Sequence, residues 1–282
     1  MKVVEQFLGS KKGDLSVCED NLILSNRYIG VVDGGTDKSG LDWGGQLGGK
    51  LLSDLVKRVF ETNDLPVDKI EALIRTEFGR LARGFGIDLG NKFNLPDAAL
   101  VVYDSVKQLV YYVGDCKLRF VYDDGSLSEQ LIPELKIDLI NASLRKAVID
   151  SFKQLGFDPF KGGFDYGREF IKPLLLKQSL LANSKQVGEW FMGIPYELVK
   201  FSIINGVDKI VFNELRVPKN VSQLIMGSDG FIELKRTLKQ SLNHLKKTIS
   251  IDPHRCGKYP STKGVSQGMA YPDDISYVRL IV

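Results

Sequence analysis

Acidic side chains fall where apolar runs begin or end. Glu19 and Asp20 precede Asn21-Leu22-Ile23-Leu24, and Asp33 follows Tyr28-Ile29-Gly30-Val31-Val32. Asp115 follows Val113-Gly114, Asp229 follows Ile225-Met226-Gly227-Ser228, and Asp273 with Asp274 precedes the closing run at 275–282. Carboxylates gathered at strand ends repel one another unless cations or protons neutralise them. Oxygen donors with almost no histidine suit Mg²⁺ or Mn²⁺ rather than zinc. Glycine follows both Asp33 and Asp229, and a residue without a Cβ leaves room for a close approach there.

Each acid also has an ordinary reading. Asp-Gly is a common turn dipeptide, and Asp124-Gly125, flanked by Asp123 and Ser126, reads as a plain solvent-facing hairpin turn. Asp115 after Gly114 suits a tight turn, Asp273-Asp274 after Pro272 suits a loop cap, and Glu19-Asp20 suits a solvated pair.

Composition narrows the chemistry. The 282 residues can bury a sizeable core, and 43% hydrophobic with 26% charged residues is ordinary for a soluble globular protein. A formal charge of +3, with no long basic block, does not point to nucleic acid. With only His244 and His254, a histidine-rich zinc site is excluded, and a Ser-His-Asp triad would have to use one of these two. Cys18, Cys116 and Cys256 are odd in number and widely spaced, as expected of reduced thiols. The N-terminal stretch is too short and too acidic for a signal peptide, and no run is long enough for a membrane span. A cytoplasmic location without membrane contact is expected.

Spacing supplies the elements. Strands are expected at 2–8, 21–25 and 28–32, the latter two as a hairpin around Asn26-Arg27. Leu47, Leu51, Leu52, Leu55, Val56 and Phe60 recur at helical spacing, with Gly44, Gly45, Gly48 and Gly49 as a small-residue face; a second helix fits 67–82. Strands follow at 98–103, 108–113 and 117–122, and Asp124-Gly125 turns the chain into 127–132. A helix carries the stripe Leu144, Val148, Phe152 and Leu155, and another is rich in leucine over 174–181. Strands return at 190–194, 209–212 and 222–226. A basic amphipathic helix after Asp229 has Phe231, Leu234, Leu238, Leu242 and Leu245 on its apolar face and Lys235, Arg236, Lys239, Lys246 and Lys247 in solvent. The last strand is 275–282. Trp43 and Trp190 read as core or sheet-edge aromatics. Blocks of strands alternate with pairs of helices, so the expected class is α+β, an αββα sandwich of two mostly antiparallel sheets flanked by helices, in one domain over 1–282.

The ordered set Cys18-Glu19-Asp20-Asn21, Val32-Asp33-Gly34-Gly35, Val113-Gly114-Asp115, Gly227-Ser228-Asp229-Gly230 and Asp273-Asp274-Ile275-Ser276 resembles the metal-dependent Ser/Thr protein phosphatases, the PPM or type 2C family. It spans nearly the whole chain, and Gly188 to Gly193 is similar to a glycine-tryptophan segment of divergent bacterial members. The resemblance implies the αββα fold and two Mn²⁺ or Mg²⁺ ions in a cleft between the sheets. It implies Asp33 as the bridge between metals, the Gly34 carbonyl as a ligand, and Asp229 and Asp273 completing a shell. Asp33, Asp229 and Asp273 are thereby the catalytic set, and Glu19 and Asp20 bind metal through water. Asp115 and Asp274 stand behind the ligands.

Two departures accompany the resemblance. Gly35 takes the place where many relatives have histidine, and the stretch 10–15 offers lysines where relatives place an arginine for the substrate phosphate. Lys12 is the candidate replacement, although a lysine cannot make arginine's bidentate fork. Asp37 and Lys38, in the loop after Gly35, are further candidates for a water ligand and a phosphate contact; that loop lacks the spacing of a nucleotide-binding P-loop. The implied function is hydrolysis of phosphoserine or phosphothreonine on a protein substrate through metal-activated water. The alternatives are a phosphatase for a small molecule and a pseudophosphatase that binds a partner through the same fold.

Overall fold

The apolar runs settle into two stacked antiparallel sheets in a computed structural model, which describes residues 1–35, 40–183, 190–191 and 194–282. The chain runs β1 (Lys2–Gly9), β2 (Asn21–Leu24), β3 (Tyr28–Gly34), α1 (Gly48–Thr62), α2 (Val67–Gly84), β4 (Ala98–Asp104), β5 (Leu109–Val113) and β6 (Lys117–Tyr122). It continues through α3 (Lys136–Gln154), α4 (Tyr166–Gln178), β7 (Trp190–Phe191), β8 (Ile194–Pro195), α5 (Tyr196–Val199), β9 (Asn213–Arg216), β10 (Val221–Gly227), α6 (Leu238–Ile251) and β11 (Ile275–Ile281). One sheet has the order β1-β11-β10-β6 and the other β2-β3-β4-β5-β9, with every neighbouring pair antiparallel. β7 and β8 form a separate two-stranded pair.

Period-two alternation builds the layers. Leu224 and Met226 of β10 meet Ile29, Val31 and Val101 of the other sheet in the central core. Ile225, one residue along, faces outward with Tyr277 onto Phe231, Leu234 and Leu245, so α6 covers that sheet. Val32, Leu100 and Val102 face the other way, onto Leu52, Val56 and Phe60 of α1 and Ile70, Ile74 and Phe78 of α2. Both central strands are therefore covered on both faces, which explains their near-continuous apolar runs. The α+β class with two antiparallel sheets and flanking helices agrees with the expectation from spacing.

Five local expectations are corrected. Segment 127–132 is not a regular strand: Leu127 makes one bridge to Val121, and beyond it the Ser128 and Leu131 N–H groups donate singly to the Phe120 and Leu118 carbonyls of β6. Strand β9 begins at Asn213, so 209–212 lies outside it. Helix α6 begins only at Leu238, where the Thr237 hydroxyl accepts from the Gln240 N–H; Phe231 and Leu234 fill the same core from the irregular segment before it. Gly44 and Gly45 belong to the loop ahead of α1, at φ +71° and +80°, and only Gly48 and Gly49 lie in the helix. In α3 the buried face is Ile137, Asn141, Ala142, Arg145 and Ile149 rather than the Leu144 stripe, and Leu155 is 73% exposed. That face carries Arg145, fully buried, with its guanidinium on Asp165 and on the His254 and Ser261 carbonyls. Trp43 is buried against Phe78, as expected of a core aromatic. The three cysteines are buried and free. Among the described residues no helix is long and apolar enough to cross a membrane.

Candidate active site

The two sheets bring their acid-bearing strand ends to the same side. Asp33 is the penultimate residue of β3, and Asp229 stands just beyond β10 of the other sheet. The Asp229 N–H donates to Asp33 Oδ2 at 3.3 Å. Asp115 lies in the short link by which the chain passes from β5 in one sheet to β6 in the other; Gly114 makes that turn at φ +78°. Asp273 and Asp274 precede β11, which pairs with β10. The Ser228 N–H donates to the Ser276 carbonyl and the Ser276 N–H to Ser228 Oγ, at 3.0 and 2.9 Å, fastening the segments that carry Asp229 and Asp273.

The glycines after these aspartates serve close packing, not turning. A Cβ on Gly34 would lie 2.5 Å from the Gly49 carbonyl oxygen and 2.6 Å from that of Glu19; one on Gly230 would lie 2.1 Å from the Asp274 carbonyl oxygen. Neither glycine has positive φ. Gly125 is the opposite case: it turns at φ +79°, and the nearest atom to its Cβ would be 3.7 Å away. Gly230→Ala is therefore expected to cost about 2–3 kcal/mol by overpacking against backbone, and Gly125→Ala about 1 kcal/mol of backbone strain. Urea unfolding of both variants checks the contrast, and equal costs would contradict it.

Glu19 and Asp20 are buried, 1% and 2% exposed, so the solvated-pair reading fails. Lys11 reaches into this interior. Its Nζ lies 2.9 Å from Glu19 Oε2 and 3.2 Å from Asp273 Oδ1, with Asp274 Oδ2 at 3.6 Å. Asp274 organises the backbone around it: Oδ1 accepts from the Lys11 N–H at 2.7 Å and Oδ2 from the Glu19 N–H at 2.8 Å. Lys263 forms a second ion pair with Asp273. Burial opposes ionisation of Asp273, yet Lys263 and Lys11 hold its carboxyl down at about 2. Burial likewise works against the charge on Lys11, and Asp273, Glu19 and Asp274 overcome it and raise its pKa above the ordinary value.

The remaining acids have no such cation. Among the described residues Asp33, Asp115 and Asp229 make no ion pair with lysine or arginine. Burial, then the neighbouring charges of Asp20, Asp229, Asp273 and Asp115, pushes Asp33 well above the carboxylate range. Burial and Asp229 raise Asp115, and desolvation inside the acid cluster, then Asp273, raises Asp229 although that residue is open to solvent. Asp20 is pushed to about 8, mainly by burial; the Ser228 and Ser276 hydroxyls act in the other direction. Its Oδ2 is buried and makes no hydrogen bond of ordinary length.

Asp33, Asp115, Asp229 and Asp273 line one pocket of about 380 Å³, and Gly34 and Gly35 line it too. Basic residues share its wall: Lys117, Arg168, Arg255, Lys258 and Lys263. Arg168 comes from α4 and donates to the Thr262 carbonyl at 2.7 Å. Arg255 donates to the Tyr259 carbonyl at 2.8 Å and has φ +51°, a left-handed conformation costly for a residue with a Cβ.

Several of these groups were not singled out by spacing. Asp97, ahead of β4, lines the pocket, and its Oδ1 would lie 1.6 Å from a Cβ on Gly35. An Asp97 carboxyl thus takes the space that a side chain at position 35 would need. Of the proposed phosphate contacts, Lys12 is exposed and does not line the pocket; its neighbour Lys11 is the buried lysine. Neither histidine lines the pocket: His254 stacks on Phe160 at 3.5 Å, and His244 lies near Glu233. Asp37, Lys38 and the Trp190 side chain lie outside the described residues.

The fit to a divalent ion differs between the two sides of the cluster. Among the described residues no group of three or more acidic, histidine or cysteine side chains is drawn together to hold a metal ion. On the pocket side the donors fit by chemistry and by charge, since Asp33 and Asp229 are carboxylates raised by desolvation and by neighbouring acids, with no lysine or arginine ion-paired to them among the described residues. On the inner side the Lys11 ammonium already stands against Glu19, Asp273 and Asp274.

No family model matches the sequence, and no curated protein matches it. Solved structures do resemble the fold along the whole chain. A bacterial serine phosphatase superposes with a TM-score of 0.47 at 12% identity, covering 100% of this chain and 98% of its own. The serine/threonine phosphatase Stp1 from Staphylococcus aureus gives 0.48 at 13% identity, covering 100% and 96%. The catalytic domain of the serine threonine protein phosphatase PstP in complex with two manganese ions gives 0.47 at 12% identity, covering 99% of each chain. At these scores and identities the likeness extends to no residue role and no activity.

Proposed function

We propose that this chain is a metal-dependent phosphomonoester hydrolase of the PPM type, one domain acting on phosphoserine or phosphothreonine in a protein. The observation that supports the reading is the composition of one pocket. Three of its acids, Asp33, Asp115 and Asp229, have no ion pair with lysine or arginine among the described residues, and its wall carries Arg168, Arg255 and Lys263. Acids alone would repel an anionic substrate, and bases alone would need no carboxylates. A phosphate held over carboxylates by an intervening cation uses both.

Asp33, the Gly34 carbonyl and Asp229 would hold Mn²⁺ or Mg²⁺. Such an ion, when bound, lowers the pKa of a coordinated water and neutralises phosphoryl charge. The chain's own residues do the rest. Arg255 presents a planar guanidinium suited to two phosphate oxygens, and its Nε is held by the Tyr259 carbonyl, which fixes the fork before substrate arrives. Arg168 is steadied in the same way by Thr262. Lys263 divides its charge between Asp273 and the pocket. Positioning and charge complementarity account for most of the rate in phosphoryl transfer. With Gly35 carrying no side chain and both histidines elsewhere, no histidine protonates the leaving oxygen.

The test is turnover by the full chain. With Mn²⁺ it should hydrolyse p-nitrophenyl phosphate and phosphothreonine peptides, and EDTA should silence it. Preference for sugar or nucleotide phosphates over peptides would move the substrate class to small molecules. Absence of turnover on every phosphoester, with no Mn²⁺ bound by calorimetry, would refute the enzyme reading and leave the pseudophosphatase.

A further inference from the structure

Lys11 supplies a cation to three carboxylates at ion-pair distances. Its Nζ is surrounded by Glu19 at 2.9 Å, Asp273 at 3.2 Å and Asp274 at 3.6 Å, carboxylates from two segments more than 250 residues apart in sequence. The backbone on either side is fastened. The Lys11 N–H donates to Asp274 Oδ1 at 2.7 Å, and its carbonyl accepts from the Ala270 N–H at 2.9 Å. Lys11 is 8% exposed, and a buried ammonium persists only where carboxylates meet it. Glu19 and Asp274 are both 1% exposed, so the same argument binds the acids to the cation.

The contrast lies a few residues away. Asp33, Asp115 and Asp229, on the pocket side, have no ion pair with lysine or arginine among the described residues. Among the described residues, Glu19, Asp273 and Asp274 each meet a lysine of the chain, and Asp33, Asp115 and Asp229 meet none.

We propose that Lys11 is a tethered cation that takes the place of a divalent ion against Glu19, Asp273 and Asp274, and so confines metal binding to the face formed by Asp33 and Asp229. The second clause rests on the metal-site reading above; the first does not. Removing the ammonium while keeping the apolar stem leaves the buried Glu19 and Asp274 and the part-buried Asp273 without it, and of the three only Asp273 keeps the ion pair with Lys263. A divalent ion then has both a charge reason and a space to enter.

The experiment counts Mn²⁺ bound per full-length chain, by calorimetry and by the electron paramagnetic resonance signal of free Mn²⁺. Lys11→Met should bind one more Mn²⁺ than the wild type, and Lys11→Met with Asp273→Asn should lose that extra ion. Equal counts in the wild type and Lys11→Met overturn the proposal. A parallel measurement on the wild-type background does not depend on Lys11→Met folding. Asp273→Asn alone should leave the Mn²⁺ count unchanged, and a fall by one ion overturns the proposal. A wild type that binds no Mn²⁺ beside a Lys11→Met variant that binds one would refute the proposed enzyme function while supporting the role of Lys11.

Discussion

Asp33→Asn should reduce Mn²⁺-dependent phosphoester hydrolysis about 1,000-fold or more in kcat and at the same time stabilise the metal-free protein. Both effects have one cause. Asp33 sits at the end of a core strand where burial, and then Asp20, Asp229, Asp273 and Asp115, oppose its negative charge. In EDTA that charge strains the fold, and asparagine keeps the shape without it. The sign follows from linkage. A carboxyl whose pKa is raised by folding favours the native state at low pH and withdraws that support as pH climbs through the raised value. Wild type and variant should therefore unfold alike near pH 3, where Asp33 is protonated in both states. Near pH 8 in EDTA, Asp33→Asn should be the more stable. Adding Mn²⁺ reverses the order, because only the wild type regains a ligand. Urea unfolding at the two pH values, with and without Mn²⁺, checks each step. An inactive variant that is also less stable in EDTA at pH 8 would mean that Asp33 is a structural residue. A site strained without its cation is a common form of exchange between stability and activity.

The same carboxylate shows how far the sequence could be read. Strand ends were visible because β3 and β10 are buried on both faces, and a doubly covered strand announces itself as an unbroken apolar run. An acid at the end of such a run must sit at the edge of the core. The apolar runs thus place Asp33 and Asp229 at the edge of the core, while Asp124-Gly125 makes a surface turn after β6. Lys11 and Arg255 gave no such signal. They lie in irregular segments, where no period ties a side chain to a face, and their partners are far away in sequence. Lys11 meets acids 8 and more than 260 residues away, and nothing in the spacing of Ser10-Lys11-Lys12 separates a buried lysine from an exposed one. The error in α3 has a related origin. Leu144, Val148, Phe152 and Leu155 form the apolar stripe, whereas the face that packs inward carries Arg145 with its partners Asp165, His254 and Ser261. Hydrophobic periodicity does not register a polar core.

That arginine sets the other large expectation: Arg145→Met should destabilise the protein by about 3 kcal/mol or more and weaken substrate binding at a distance. Arg145 is fully buried, and it is the hub for the segment that follows α6. Its guanidinium donates to the carbonyls of His254 and Ser261, both at 2.9 Å, and pairs with Asp165, which itself caps α4 through the Arg168 N–H at 2.8 Å. Methionine fills much of the volume and satisfies none of these acceptors. For a chain of this size the loss corresponds to a fall in Tm of roughly 6–10 °C. The functional consequence follows from what hangs on the hub. Arg255 lies between two of the anchored carbonyls, and Arg168 follows the cap residue by three positions. Both guanidiniums of the pocket wall thus lose their support together, while Asp33 and Asp229, carried by the sheets, keep theirs. Arg145→Met should raise KM for a phosphopeptide about tenfold or more and leave Mn²⁺ affinity within about twofold, a split that general unfolding would not produce. Calorimetric Mn²⁺ binding beside steady-state kinetics, both at a temperature well below the lowered Tm, separates the two. A parallel loss of metal and substrate binding would mean that the loop and the acid cluster are one cooperative unit rather than a grip mounted on a separate floor.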